Sequence, residues 1–351
     1  MSMYKIKIIV LYCAKYLGLF KIAKIVTSRG LRIICYHGFS LDDEHLFRPK
    51  LFMTRDLFAR RLAKISKMGF SVISLDKAVQ MITAKEHFSN SLVFTVDDGW
   101  QGVEDIAWPL LSQYHYDWTL YLTSYYAEKQ TQVMNVAIQY LCWKTTKNEV
   151  TFPSLGKQFE KGRSLHTLSD RDILAKNLSD FGVNLETAED RQNFLRQIAL
   201  SLDVDSSVME NKRLFYLTNM ESIQKMHESG VDIQLHTHRH TLGGVNKNNL
   251  NLEIRENKDS IHRVLNHRLQ HFCYPSGYYE KEHLAWLAEN DVISATTCKP
   301  GLNYSTTPLL ELRRFLDGEN ITDIEFEAEL SGFSDFLRYL KSLLNVTRHF
   351  H

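Results

Sequence analysis

Two adjacent carboxylates, Asp97 and Asp98, follow directly after a run of apolar and β-branched residues, and Gly99 comes next. The run at 92–96 predicts a buried strand, of the kind found in parallel sheets, that ends at the carboxylates. Two ionised carboxylates repel each other and are costly to bury without partners. One interpretation is a turn in which an aspartate bonds the next backbone amide and glycine takes a positive φ. The other is a site where one carboxylate binds a metal ion and the other handles a proton.

A second group of candidate ligands is the pair His236 and His240, which follows another predicted strand. On a short helical turn, a spacing of four residues puts both imidazoles on one face. Two histidines and one aspartate form a three-ligand set that suits a catalytic metal with an open position. Zinc (Zn2+) is the default ion, and cobalt, nickel or iron also fits. His238 is expected to point elsewhere, and Thr237 to bond the backbone of its loop.

The elements that must position these residues alternate between strand and helix, which predicts an α/β fold with a parallel sheet and crossover helices. Predicted strands cover 31–36, 71–75, 92–96, 118–122, 231–235, 271–274, 292–297 and 309–315. Predicted helices between and after them include 54–68, 219–229, 249–266, 280–289 and 334–344.

The candidate residues share one position in this pattern, the carboxyl end of a predicted strand. In α/β barrels and open α/β sheets, that edge binds ligands. We therefore expect these residues to converge: His37, Asp97, Asp98, His236, His240 and Ser276.

Residues 125–217 interrupt the alternation. They are polar, show helical segments around 133–143, 170–181 and 188–200, and contain no evident strand. We interpret this stretch as a helical insertion in the barrel. It either takes part in substrate choice or decorates the fold.

Residues 1–29 combine apolar residues with basic ones and contain no acidic residue. Lysines interrupt the apolar run, which argues against a membrane span or a signal peptide. The pattern predicts a basic amphipathic helix. Two interpretations are open: the helix packs on the domain, or it lies on an anionic membrane surface as a peripheral contact.

The composition of the 351-residue chain is that of a globular protein, with 42 basic and 41 acidic side chains and a net charge of +1. This balance argues against nucleic acid as a partner. The five cysteines form no C-x-x-C pair, which favours a reducing compartment. With the basic start, we predict a cytoplasmic protein, peripheral at the inner face of the membrane.

Three motifs resemble those of the polysaccharide deacetylase family, carbohydrate esterase family four with the NodB homology domain. Residues 95–99 (TVDDG) resemble its T-F-D-D-G motif, and residues 236–240 (HTHRH) match H-[ST]-x-x-H. Residues 272–277 (FCYPSG) are similar to the F-A-Y-P-Y-G form of its third motif. The resemblance spans about 31–315, and the insertion carries none of the motifs.

The resemblance implies a distorted (β/α)7-type barrel, which we place at 30–320, and the sequence pattern predicts a C-terminal helix in 321–351. The resemblance also implies metal-dependent removal of N-acetyl, or O-acetyl, groups from a polysaccharide or lipid-linked glycan. By position, Asp98, His236 and His240 hold the metal. Asp97 is the general base acting on a metal-bound water. Ser276 occupies the place whose backbone N–H stabilises the attacked carbonyl oxygen.

The chain departs from the commoner family pattern in two ways. Cys273 stands where many members have an arginine that orients the base, and Arg314 resembles the arginine that a related branch uses instead. Its other interpretation is an ordinary surface salt bridge. No late L-x-H motif supplies the general acid, whereas Tyr36-His37-Gly38 resembles an early Y-H motif that does. His37 is otherwise a pocket residue or strand cap.

Together these patterns predict a hydrolase that acts on carbon–nitrogen bonds other than peptide bonds, with an N-acetylated carbohydrate as substrate. Two rivals stay open. One is a catalytically inactive carbohydrate-binding barrel, which the missing arginine of the third motif favours. The other is an unrelated zinc hydrolase that acts on peptides.

Overall fold

The structure is a computed structural model that describes residues 3–155, 159–183, 185 and 187–348. Its strands are β1 (Arg32–Tyr36), β2 (Gly38–Phe39), β3 (Phe52–Met53), β4 (Ser71–Val72), β5 (Ser91–Asp98), β6 (Trp118–Leu122), β7 (Glu149–Val150), β8 (Arg163–Ser164), β9 (Asp232–Leu235), β10 (His271–Cys273), β11 (Ser294–Thr296) and β12 (Phe315–Leu316).

The helices of the first half are α1 (Met3–Tyr16), α2 (Leu19–Val26), α3 (Glu44–Phe47), α4 (Arg55–Met68), α5 (Leu75–Thr83), α6 (Trp108–Gln113), α7 (Ser124–Lys129) and α8 (Met134–Lys144). Those of the second half are α9 (Leu168–Gly182), α10 (Ala188–Leu202), α11 (Ser207–Asn211), α12 (Met220–Glu228), α13 (Lys247–His262), α14 (Lys281–Glu289), α15 (Asp323–Leu330) and α16 (Phe333–Arg348).

Seven parallel strands form the main sheet in the order β11-β10-β9-β6-β5-β1-β12, and β4 pairs beside β5. The sheet curls back on itself, because Leu312, just before β12, bridges to Thr296 of β11. The Leu312 N–H donates to Ala295 O at 2.9 Å, and the Thr297 N–H donates to Leu312 O at 2.8 Å. This confirms the predicted fold class, a distorted (β/α)7-type barrel.

The central strand β5 is buried along its whole length, which explains why its sequence is a continuous apolar run rather than an alternation. Successive side chains of a strand point to opposite faces. On one face, Phe94 and Val96 join the large core beneath the surrounding helices. On the other, Val93 packs with Tyr121, in a smaller cluster closed by α5. Asp97 continues this inner face, which places its carboxylate at the mouth of the barrel.

The insertion is mainly helical, and its predicted segments correspond to α8, α9 and α10. The expectation of no strand was wrong, since β7 and β8 form a short antiparallel hairpin. The carboxyl-terminal end of the insertion is fixed to the barrel. Leu217 bridges to Trp100, and the Gln101 N–H donates to Tyr216 O at 2.9 Å. The insertion therefore has a fixed position beside the carboxyl end of β5.

The amino-terminal region is not one helix but two, because Gly18 takes a left-handed conformation between α1 and α2. Leu11 and Phe20 are buried against α15 and α16, where Phe20 packs on Phe333 with tilted rings whose centroids are 5.1 Å apart. Lys7 pairs with Glu325 at 2.6 Å. One side of the helical pair is thus packed on the domain. In the part of the chain that is described, no helix is long and apolar enough to cross a membrane.

Candidate active site

Asp98, His236 and His240 meet at the carboxyl ends of β5 and β9. The Asp98 Oδ1 atom lies 3.2 Å from His236 Nε2 and 3.4 Å from His240 Nε2. The two imidazole rings are 4.9 Å apart, edge to face. The three potential ligand atoms therefore surround one small space, as predicted from motifs far apart in the sequence.

The chemistry of these three residues fits a divalent metal ion. Asp98 Oδ1 is buried and has no hydrogen-bond partner, and an orphaned carboxylate oxygen of this kind is costly unless a cation is bound. His236 Nδ1 lies 2.9 Å from Cys273 O. A proton on Nδ1 satisfies that carbonyl and leaves the Nε2 lone pair directed at Asp98, which is the usual outer-shell arrangement of a metal-ligating histidine.

The histidines converge by a different route from the one predicted. Residues 236–240 form a bend, not a helical turn, and Thr237 and His240 take φ values of 65° and 59°. Thr237 Oγ1 accepts from the Thr241 N–H at 3.1 Å, which confirms its predicted role in the loop. His238 points away, with Nδ1 2.9 Å from Ser124 Oγ. The prediction that a helical turn brings His236 and His240 together was wrong, although the two histidines do lie together.

Two residues of α13 hold this loop, and the sequence offered no signal for either. Asn257 is fully buried, accepts from the His236 N–H at 3.1 Å and donates to Leu122 O at 3.0 Å. Glu253 accepts from the Arg239 N–H at 2.7 Å. One helix thereby ties the end of β9 to the end of β6.

Asp97 is held by Arg314 in a bidentate ion pair inside the barrel. Arg314 Nη1 donates to Asp97 Oδ1 at 2.7 Å, and Nη2 donates to Oδ2 at 2.8 Å. Burial raises the pKa of Asp97, but the Arg314 guanidinium, together with His37 and His236, lowers it by more, so that the net pKa lies well below the ordinary value. The carboxylate stays ionised and fixed in orientation. The surface interpretation of Arg314 is wrong, because the side chain is fully buried.

Two thiols complete the surroundings of Asp97. Cys273 Sγ lies 3.2 Å and Cys35 Sγ 3.5 Å from Asp97 Oδ2. Burial raises the pKa of Cys35 well above the usual value, so this thiol stays protonated and can donate to the carboxylate. Cys273, in β10, thus occupies the position of the expected arginine. Arg314, which lies just before β12, reaches the same carboxylate from another part of the barrel.

His37 follows β1 and faces Asp97 from the side of the cavity. Its Nε2 atom lies 3.7 Å from Asp97 Oδ2, and its side chain is partly exposed. The imidazole therefore has access both to the base and to a bound substrate. Ser276 also reaches the cavity, in a 3-10 turn where it takes a φ of 56°.

A cavity of about 830 Å³ opens above these groups, between the barrel and the insertion. This is within the size range of ligand-binding sites in proteins. On the barrel side it is lined by His37, Asp97, Asp98, His236, His240 and Ser276. On the insertion side its lining includes Met134, Val136, Ser179, Val183 and Arg191. The insertion therefore forms one wall of the cavity.

The aromatic residues near the motifs have mixed roles. Trp100 donates from Nε1 to Asp98 Oδ2 at 2.7 Å, so its indole orients a candidate metal ligand. Trp100 and Tyr274 also line the cavity. Tyr279 stacks on Tyr274 with centroids 4.5 Å apart, and Tyr278 is exposed and bonds Glu280. The hydrogen bond of Trp100 is a function that its sequence position did not predict.

The fold and the site together define a class of protein: a parallel α/β barrel with two histidines and one aspartate clustered at the carboxyl ends of its strands. Comparison with known proteins agrees with that class. The sequence model of the polysaccharide deacetylase family matches residues 204–292, which include both histidines and the third motif. No curated protein sequence matches the chain.

Solved structures with the same fold include two described as a deacetylase and a de-N-acetylase, and a third, IcaB. PplD from Streptococcus pyogenes, in complex with acetate, has a TM-score of 0.55 at 16% identity, over 86% of this chain and 98% of that one. IcaB from Ammonifex degensii has a TM-score of 0.54 at 14% identity, over 86% and 97%. A de-N-acetylase from Aggregatibacter actinomycetemcomitans has a TM-score of 0.52 at 12% identity, over 85% and 99%.

The family model matches about a quarter of the chain, and this match and the shared fold agree with the resemblance that the motifs indicated. The same match and fold support the predicted class of enzyme, a hydrolase that acts on carbon–nitrogen bonds other than peptide bonds.

Proposed function

We propose that this protein is a metal-dependent carbohydrate deacetylase that hydrolyses N-acetyl groups of a glycan and releases acetate and a free amine. The observation that carries the proposal is the convergence of Asp98, His236 and His240 around the partnerless Asp98 Oδ1, next to the Asp97–Arg314 pair. A divalent cation such as zinc, held by those three side chains, would supply the Lewis acidity that makes water a nucleophile near neutral pH.

The remaining groups divide the proton transfers between them. Asp97, kept ionised by Arg314, accepts the proton of the attacking water at a carboxylate oxygen. The C–N bond of the acetamide then breaks, and the leaving nitrogen takes a proton from His37, on the same side of the cavity. The backbone N–H at Ser276 is the candidate donor to the carbonyl oxygen that gains charge. The products are acetate and the sugar amine.

The test compares acetate release from chitooligosaccharides by the zinc-loaded protein and its Asp97→Asn variant. We expect the variant to lose activity by about 10²-fold or more, because the proton acceptor is gone. Its metal content should stay unchanged, because Asp97 is not a ligand. Asp56→Asn, an exposed aspartate on α4, is the matched control and should behave as the parent.

Two further results bear on the same assay. His37→Gln should slow turnover without loss of metal, and the defect should shrink with an acetyl ester whose leaving group needs no proton. Full activity of Asp97→Asn would overturn the mechanism. A parent protein that binds zinc and glycan but releases no acetate would favour the inactive carbohydrate-binding barrel instead.

A further inference from the structure

The outward side of α1 and α2 is an unusually apolar surface for a packed domain. Twelve large hydrophobic residues between 3 and 26 are exposed, among them Tyr16 at 92%, Ile25 at 74% and Val26 at 76%. We call this set the α1–α2 surface: Met3, Tyr4, Ile6, Ile9, Val10, Tyr12, Tyr16, Leu17, Leu19, Ile22, Ile25 and Val26. Contiguous exposed apolar surface of this kind marks an interaction site.

The two helices that carry these exposed residues are anchored to the rest of the domain. Leu11, Ala14 and Phe20 are buried against α15 and α16. Lys7 pairs with Glu325 and Lys15 pairs with Glu327, both at 2.6 Å. Since the inner side of the helices is fixed in this way, their outer side is held as one continuous face.

The charged residues that α1, α2 and their flanks contribute all have the same sign. Residues 3–29 contain five lysines and Arg29 but no aspartate or glutamate. Lys5, Lys21 and Arg29 are exposed alongside the apolar side chains. Exposed tyrosines are also part of the surface, and their amphipathic rings suit the boundary between water and hydrocarbon. Apolar area bordered by cations is the pattern of helices that lie on anionic bilayers.

We propose that the α1–α2 surface docks the protein on an anionic lipid bilayer, with both helices lying in the interface. The basic charge of the surface favours an anionic bilayer over a second copy of the chain as the binding partner. In a symmetric dimer, the same cation-rich surface would face itself. The inference does not depend on the proposed activity, because lipid binding is measured without substrate.

The position of the surface leaves the catalytic cavity accessible. The connection from α2 leads straight into the amino end of β1, where Arg32 Nη1 donates to Thr27 O at 3.0 Å. His37 and the cavity lie at the opposite end of that strand. Five residues of strand span about 16 Å. Docking through the α1–α2 surface therefore does not require any residue of the catalytic cavity.

The experiment is flotation of the full chain with vesicles of phosphatidylcholine alone or mixed with phosphatidylglycerol. We expect binding to the mixed vesicles that weakens as salt is raised. The double variant Ile22→Glu/Ile25→Glu should bind at least about tenfold more weakly, because two exposed apolar contacts become anionic. Leu200→Glu, which alters a 79% exposed leucine on α10, is the matched control and should bind as the parent.

A second measurement needs no change in the surface. A polarity-sensitive fluorophore on the exposed Cys13 should shift to the blue with anionic vesicles, and Cys13→Ser should give no signal. Absence of both flotation and the blue shift would overturn the proposal. So would a parent that dimerises without lipid and becomes monomeric in the double variant, since the surface would then be an interface between copies.

Discussion

At the scale of single residues, the site depends on how Asp97 is oriented. Both of its oxygens accept from Arg314, and the Oδ2 atom also faces two thiols and His37. A carboxylate held at both oxygens cannot rotate toward the neighbouring cluster of Asp98 and the histidines. The two adjacent aspartates can therefore keep separate roles, because Arg314 neutralises one and a cation would neutralise the other.

Replacing Arg314 should show that this residue orients Asp97 and is not needed for metal binding. For Arg314→Lys, which keeps a charge but not the planar fork, we expect kcat to fall by about 10- to 100-fold with little change in KM. Metal content should stay that of the parent. Steady-state kinetics and metal analysis provide the measurement, and the exposed neighbour in Arg313→Lys is the control. Loss of metal with an unaltered kcat per bound ion would assign Arg314 to structure alone.

At the scale of elements, α13 supports the loop that carries the candidate ligands His236 and His240. Asn257 bonds the amide of His236, the carbonyl of Leu122 and the hydroxyl of Ser124, all in a buried setting. One side chain thus joins the ends of β6, α7 and β9. The order of the strands brings these ends close together, and the helix fixes their relative height.

The variant Asn257→Ala tests this support. Three buried polar groups would lose their partner, so the free energy of unfolding should fall by at least about 2 kcal/mol. Zinc affinity should weaken by about 10- to 100-fold, because His236 is no longer positioned. Urea unfolding of the zinc-free protein and competition with a chelator measure the two effects. Asn248→Ala, at an exposed site on the same helix, should change neither.

At the scale of the whole molecule, the cavity belongs jointly to the barrel and the insertion. Arg191 of α10 lines it and donates to Tyr125 OH at 2.7 Å. The barrel side of the cavity therefore carries the candidate catalytic groups, and the insertion side provides further surface for contact with a substrate. This division favours the interpretation in which the insertion takes part in substrate choice.

We expect Arg191→Ala to raise KM for a chitooligosaccharide by about tenfold, the loss that one hydrogen bond from a charged group represents. Turnover of a small acetyl ester that does not reach the insertion should not change. Arg196→Ala, on the same helix but exposed and paired with Glu210, is the control. If the oligosaccharide KM is also unchanged, the insertion wall does not contact that substrate.

The sequence predicted the parts of this site that have a local signature. Asp97, Asp98, His236 and His240 follow recognisable strands, and the carboxyl ends of parallel strands share one edge. Asn257 and Trp100 were missed, because an ordinary asparagine or tryptophan acquires its role only through contacts between distant segments. The break at Gly18 does have a local signal, because glycine commonly ends a helix. The bend at 236–240 has none, since tertiary packing overrode the helical spacing of its histidines.

The pairing of β6 with β9 has a consequence for how the protein is made. These neighbours are separated in the chain by the whole insertion, and their pairing brings Asp98 and the two histidines together. A ribosome-bound chain that has emerged only as far as β6 carries one ligand of three. An ion held by these three residues would therefore be captured only after the second half of the chain has been synthesised. Until then, the Asp98 carboxylate has to stay hydrated.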